Sequence, residues 1–247
     1  MNGRLVVLRH GQSTANAAGV FTGLLDVPLT DAGEQQALQA GALLRADGVI
    51  PDLVLTSTLQ RSVRTAELVT EAIGRDLPIE SAWQLNERNY GALTGHSKHA
   101  ARATLGEVAF TRIRRSLNGQ PPRMPLRQWW ALRRSSALRD LPWSAVRRTE
   151  TLSDVIDRVR PVLTGRIMPA LVAGSTVLVV AHGNSLRAVC AVIDGLSEVE
   201  LAGLNLPTGQ PLLYRLDDDR GFRPRGGTYL DPTALTAAAL VAAEGGT

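Results

Sequence analysis

Lysine is nearly missing from this 247-residue chain: Lys98 stands alone against 26 arginines. Cysteine is as scarce. Cys190 is the only one, which excludes an intramolecular disulfide framework and any zinc site built on several thiolates. No apolar run reaches the ~18 residues that a membrane-spanning helix needs. The N-terminal stretch MNGRLVVLRHG passes from a short apolar run straight into charge, without the longer apolar region of a signal peptide. One thiol and no export signal point to the cytoplasm and to no membrane partner.

What is present is a foldable chain with an uneven charge. The 44% hydrophobic content excludes a wholly disordered chain. At roughly 150 residues per domain the length allows one large domain or two small ones. Residues 112–148 hold ten arginines against one acid, Asp140, so that segment carries +9 and the remainder −5, for a formal net charge of +4. The protein is a mildly acidic body with one basic segment. Trp129, Trp130 and Trp143 are interleaved with those arginines, a pattern that suits either a packing or subunit surface or a stacking surface for nucleic acid. An Arg-rich exposed face is the commoner explanation.

Apolar runs and helical patterns alternate along the chain. Residues 5–8 read as a buried strand, 31 to about 45 as a helix stopped by Gly48, and 52–55 as a second strand. Ser57 is placed to cap a helix running to about 73. A short strand is expected at 77–79, a long helix at 152–172, and the clearest strand of all, STVLVVA, at 175–181. A helix at 185–193 and a last strand at 210–216 follow, and the Ala-rich stretch 232–244 is a helix or a loose tail. This alternation predicts an α/β layered fold with a largely parallel central sheet and helices on both faces. Residues 95–150 break it, with four prolines and no clear strand. They are expected to form an inserted segment on a single domain spanning 1–247, with a tail from about 220.

Two of the four histidines occupy equivalent places, each after an apolar strand and before glycine: Arg9-His10-Gly11 and Ala181-His182-Gly183. Ligands of open α/β sheets bind outside the carboxyl ends of the strands, so both histidines can face one pocket. Asn184 and Ser185 open a helix whose first amides favour an anion. Arg61 lies just past another strand end. Arg9, His10, Arg61 and His182 can thus surround one phosphate.

These residues fall in longer motifs: LRHGQSTAN from Leu8, FTGLLDVPLTDAG from Phe21, STLQRSVRTA from Ser57, LNERNYGALTG from Leu85, Arg114-Arg115-Ser116, Glu150-Thr151-Leu152, AHGNSLR from Ala181 and LNLPTG from Leu204. Together they resemble the histidine phosphatase superfamily, and within it the cofactor-dependent phosphoglycerate mutases, over roughly residues 4–216. The resemblance implies the three-layer phosphoglycerate mutase-like fold. It implies interconversion of 3- and 2-phosphoglycerate through a phosphohistidine, with 2,3-bisphosphoglycerate as phosphoryl primer and no metal. His10 would be the nucleophile, Glu87 the general acid/base, and Arg9, Arg61 and His182 the charges around the phosphoryl group. Asn16 and the Gly183 region would donate hydrogen bonds to that group, and Thr22, Gly23, Arg88, Tyr90, Lys98, Arg114, Arg115 and Asn184 would bind the substrate beside it. The partner is a small phosphorylated molecule, nucleic acid is disfavoured, and a homo-oligomer (dimer or tetramer) is left open.

Two departures stand out. Asn89 sits where the resemblance leads one to expect His, and residues 123–148 lack the family's acidic and aromatic pattern. They motivate an alternative with the same phosphohistidine chemistry, a phosphatase or phosphomutase acting on another phosphorylated acid or sugar. A binding protein that has lost catalysis is a third reading, against which the intact His10, His182, Arg9, Arg61 and Glu87 set argues. His96 and His99 are expected to be exposed and not metal ligands, and Cys190 to be core.

Overall fold

The computed structural model describes residues 3–218 and 221–243. In chain order the first half contains β1 (Arg4–Arg9), α1 (Thr14–Ala17), α2 (Asp31–Ala46), β2 (Leu53–Thr56), α3 (Gln60–Ile73), β3 (Ile79–Ser81), α4 (Lys98–Leu105), α5 (Glu107–Arg115) and α6 (Leu126–Arg133). The second half contains α7 (Leu152–Val162), α8 (Met168–Val172), β4 (Thr176–Ala181), α9 (Gly183–Asp194), α10 (Glu198–Gly203), β5 (Leu212–Leu216), β6 (Phe222–Tyr229) and α11 (Ala234–Ala243).

The strands form one sheet in the order β3-β2-β4-β1-β5-β6. Pairing is parallel from β3 to β1 and antiparallel at β1–β5 and β5–β6. Strand alternation divides the apolar residues between two cores. Leu5, Val7, Val177 and Val179 face α7, α9 and α10, while Val6, Leu8, Leu178 and Val180 face α2 and α3. All eight are at most 1% exposed. A strand covered on both faces has no polar side to show, which is why β1 and β4 read as unbroken apolar runs. Each such side chain contributes roughly 1.5–3 kcal/mol by burial.

Several expectations shift by a few residues, and three change in kind. The long helix at 152–172 is continuous but contains a π-helical turn at Leu163–Ile167 between α7 and α8. β6 was not foreseen: it is an edge strand with only Phe222 buried, so its sequence lacks an apolar face. Ser57 does not cap α3. The first turn of that helix is met from elsewhere, by the Asp26 carboxylate, which accepts the Gln60 N–H at 2.7 Å. The Ala-rich end forms α11, and Glu244 lies outside the described residues.

Residues 95–150 contain no strand, as expected. They cover the carboxyl end of the sheet with two small clusters of their own. One joins Phe21 and Tyr90 to Ala101, Phe110 and Ile113, and the other joins Leu24 and Leu59 to Met124, Leu132, Leu138 and Val146. Trp130 packs edge to face on both Trp129 and Trp143, which are tilted on each other, and the Arg133 guanidinium lies 5.1 Å from the Trp143 ring centroid. Among the described residues no helix is long and apolar enough to cross a membrane.

Candidate active site

The register of β1 on β4 decides where the chemistry sits. Arg9 pairs with Ala181, and the His10 N–H continues the ladder to the Ala181 carbonyl at 3.0 Å. The next residue of each strand is therefore a histidine. The His10 and His182 rings lie 4.9 Å apart between centroids at an angle of 62°. Gly11 must be glycine for a steric reason: a Cβ there would overlap the Gly33 carbonyl, where the start of α2 crosses the loop.

His10 is 3% exposed, and its Nδ1 lies 2.6 Å from the Gly11 carbonyl. A carbonyl can only accept, so Nδ1 carries the proton and Nε2 presents its lone pair. Burial, then Arg61 and Arg9, hold the imidazole pKa well below its ordinary 6.5. His182 is fully buried, and its pKa is also pushed well down, by burial first and then by Arg61 and His10. Its Nε2 is 2.7 Å from Ser57 Oγ, and its Nδ1 has no hydrogen-bond partner. The resemblance implied a charge at His182. In this structure burial favours the neutral ring.

Arg61 is held by two carbonyls, Leu25 at 2.7 Å and Gly23 at 3.0 Å, and burial lowers its pKa to about 10. Arg9 donates to the Leu206 carbonyl at 2.9 Å. Glu87 Oε1 accepts three hydrogen bonds, from the Arg88 N–H at 2.7 Å, the Asn184 N–H at 3.3 Å and Asn184 Nδ2 at 3.1 Å. Asn184 Nδ2 also reaches the Tyr90 hydroxyl at 2.9 Å. With Oε1 occupied, Oε2 is the oxygen placed to carry a proton.

Beside this pocket a narrow cleft is lined by Arg9, Asn16, Thr22, Gly23, Glu87, Tyr90, Lys98, Arg114 and Asn184, with Val20 and Phe21. Nine sequence-derived site residues therefore share one wall system, next to His10, His182 and Arg61. Gly183 opens α9 beneath it.

Two residues go elsewhere. Arg88 is fully buried and donates to the carbonyls of Glu150 at 2.7 Å, Ile113 at 2.8 Å and Gly119. It fastens three segments together and does not line the cleft. Arg115 donates to Asn205 Oδ1 at 2.7 Å and lines a separate apolar groove between α5 and α10. Asn89 is structural too. Its backbone N–H donates to Glu150 Oε2, its Nδ2 to the Arg147 carbonyl, and its Oδ1 accepts the Gly91 N–H. The departure from His at that position thus concerns loop packing.

Three contributors escaped the sequence reading. Ser57 touches His182. Arg158 pairs with Glu150 at 2.9 Å and donates to the carbonyls of Gln84, Asn86 and Glu87, which anchors the Glu87 loop to α7. Arg187, fully buried, braces Asn184 Oδ1 at 3.2 Å and the Leu201 carbonyl at 2.7 Å. Ser57, Glu150 and Arg187 lie inside quoted motifs and are legible as motif members, though not as partners. His96 and His99 are exposed, and among the described residues no group of three or more His, Cys, Asp or Glu could hold a metal. Cys190 is buried, its thiol pushed up to about 12 by desolvation.

The chain matches the family model of the histidine phosphatase superfamily (branch 1) over residues 5–141 and 122–222. It is 45% identical to a 2,3-bisphosphoglycerate-dependent phosphoglycerate mutase of Thermobifida fusca, covering 95% of each chain. It is 46% identical to a protein of that name from Streptomyces avermitilis, over 95% of this chain and 93% of the relative. The same name is carried by a Corynebacterium glutamicum relative 44% identical over 99% of this chain. Among solved structures, the YhfR protein of Bacillus stearothermophilus superposes with a TM-score of 0.69 at 23% identity, over 93% of this chain and all of that one. A mycobacterial glucosyl-3-phosphoglycerate phosphatase superposes with a TM-score of 0.66 at 24% identity, over 89% and 96%. These likenesses support the fold.

Proposed function

This chain belongs to the histidine phosphatase superfamily, and we propose that within it the chain is a phosphoglycerate mutase. It interconverts 3- and 2-phosphoglycerate through a phosphohistidine and depends on 2,3-bisphosphoglycerate, as its relatives' names state of them. Its place is the cytoplasm, with the glycolytic compounds it acts on. The observation that carries this reading is a second cationic cleft beside the proposed nucleophile, walled by Arg9 together with Lys98 and Arg114. A plain phosphatase needs one anion site. A mutase must also hold the rest of a phosphorylated acid while phosphate moves, and must exclude water.

The residues fit a polyanion of that kind. Arg9, Lys98 and Arg114 face the cleft against one carboxylate, Glu87, and the buried His182 Nδ1 lacks a partner. When bound, 2,3-bisphosphoglycerate supplies the phosphoryl group that primes His10. Arg9, Arg61, Asn16 and His182 neutralise or hydrogen-bond the equatorial oxygens in flight. Lys98, Arg114 and the Tyr90 hydroxyl hold the carboxylate and the distal phosphate.

His10 Nε2, neutral through burial, is nucleophilic without a metal or a separate base. When phosphoglycerate occupies the cleft, its hydroxyl oxygen bonds to the phosphorus on His10. The N–P bond breaks, and Glu87 Oε2 takes the hydroxyl proton. His10 then recovers the phosphoryl group of the other carbon, and Glu87 returns the proton to the oxygen released there. Phosphoryl group and proton both balance over the cycle.

A coupled assay for 2-phosphoglycerate with and without the bisphosphate primer tests this reading. Primer-dependent isomerisation is expected. Net phosphate release exceeding isomerisation across a panel of phosphorylated acids and sugars would overturn it in favour of a phosphatase.

A further inference from the structure

Ser57 follows β2 immediately. The β2–β4 register, with Thr56 opposite Val180, brings it alongside the end of β4 and so beside His182. It is fully buried. Its Oγ accepts the Leu59 N–H at 3.2 Å and meets His182 Nε2 at 2.7 Å. The loop around it is rigidly fixed. Thr56 Oγ1 and Ser62 Oγ are 2.8 Å apart, and Ser62 donates to the Val180 carbonyl at 2.6 Å.

Ser57 has one hydroxyl hydrogen, and among the described residues its only side-chain neighbour able to accept it is His182 Nε2. Two arrangements are conceivable. If His182 carries its proton on Nε2, it donates to Ser57 Oγ. The serine hydrogen then has no side-chain acceptor among the described residues, and Nδ1 keeps a bare lone pair at the start of α9, close to the Ser185 N–H but without a hydrogen bond to it. If Ser57 donates to Nε2, its own hydrogen is satisfied and the imidazole proton sits on Nδ1. The atom left without a protein partner is then a donor, and a phosphoryl oxygen completes it.

We propose that Ser57 is a positioning residue: its hydroxyl holds His182 in the tautomer with the proton on Nδ1, so that a neutral His182 presents a single aimed donor to the phosphoryl group. The same backbone ladder sets the opposite outcome from the same proton position at His10. There a carbonyl accepts the hydrogen bond of Nδ1–H and leaves Nε2 free to attack. Two neutral histidines thus differ in role because one hydrogen-bonds a carbonyl through Nδ1 and the other a hydroxyl through Nε2. The catalytic consequence rests on the phosphohistidine reading above, whereas the tautomer itself does not.

The experiment is a long-range proton–nitrogen correlation spectrum of the full chain labelled with ¹⁵N-histidine, in phosphate-free buffer and with added inorganic phosphate. His10→Gln, His96→Gln and His99→Gln supply the assignments. Wild-type His182 is expected with Nδ1 protonated and Nε2 bare in both conditions. Ser57→Ala is expected to lose that bias and to slow phosphorylation of His10 at least ~10-fold, with KM within about threefold, because the donor is misaimed while binding is intact. Ser57→Thr, which keeps the hydroxyl, is expected to restore both readouts. Nε2 protonation in the wild type overturns the proposal. So does a Ser57→Ala variant that keeps the wild-type tautomer or phosphorylates within twofold of the wild-type rate. If the alanine variant does not fold, the wild-type spectrum and the threonine variant decide. If the wild type takes no phosphoryl group from 2,3-bisphosphoglycerate, the mutase reading fails while the spectrum still answers for Ser57.

Discussion

Arg158 and Glu150 form a buried ion pair at 2.9 Å, with side chains 9% and 5% exposed, and the remaining N–H groups of Arg158 hold the carbonyls behind Glu87. The proposed catalytic carboxylate is thereby tied to α7, the helix that packs most heavily on α9.

Breaking that pair leaves a buried charge alone. Arg158→Met is expected to lower unfolding free energy by about 3–5 kcal/mol in urea titrations, and kcat with it, since the Glu87 loop loses three anchors. A loss below about 1 kcal/mol would show that the pair is not a structural fastening.

The nucleophile assignment has a chemical signature. A phosphoenzyme formed with labelled 2,3-bisphosphoglycerate should be acid-labile and alkali-stable, and His10→Ala should abolish the label. Survival of the label in that variant would place the nucleophile elsewhere.

Both buried histidines are held neutral, and this fixes the sign of a pH effect. Their pKa values are depressed in the folded protein, so the unfolded chain binds more protons below its ordinary value of ~6.5. Their contribution to stability is fully present above that value and is lost as pH falls below it toward the folded pKa values. Each histidine adds up to about 1.4 kcal/mol per pH unit to that slope. Denaturant titrations between pH 7.5 and 5 should show the loss, reduced in the double variant His10→Gln, His182→Gln. Stability that is flat across this range would contradict the burial effect.

The cations of the sequence motif separate into two classes with opposite readouts. Lys98→Ala should raise KM for phosphoglycerate about 10–100-fold, the worth of one charged hydrogen bond, with little change in Tm. Arg88→Ala should instead destabilise by several kcal/mol, since it leaves three buried carbonyls without donors. Arg115→Ala should raise KM less than Arg114→Ala, because Arg114 lines the cleft and Arg115 a neighbouring groove. A large KM effect from Arg115 with none from Arg114 would reverse that assignment.

The proposed phosphate pocket was legible because its two histidines obey a local rule: an apolar strand, then histidine, then glycine. The sheet register converts that rule into adjacency. Arg88 and Arg115 were not legible in the same way. Their guanidinium directions are set by carbonyls and an amide contributed from residues 113, 119, 150 and 205, and no local pattern records those distances. The same holds for Asn89, whose change from histidine looked like a change in substrate recognition but lies within loop packing. Ser57 was read as a helix cap because serine before a helix usually is one. Asp26 meets the first turn of α3 from a distant loop, and the Ser57 hydroxyl is shared between the Leu59 N–H and His182.

The scarcity of lysine has a practical side. Lys98 is the only ε-amine in the chain, and its side chain borders the cleft that the proposed substrate would fill. Apart from the α-amino group, an amine-reactive dye therefore has one address on this protein. A single fluorophore placed there, with no residue altered, would report the filling and emptying of the cleft, and protection of that amine by a candidate ligand would rank candidates before any turnover is measured.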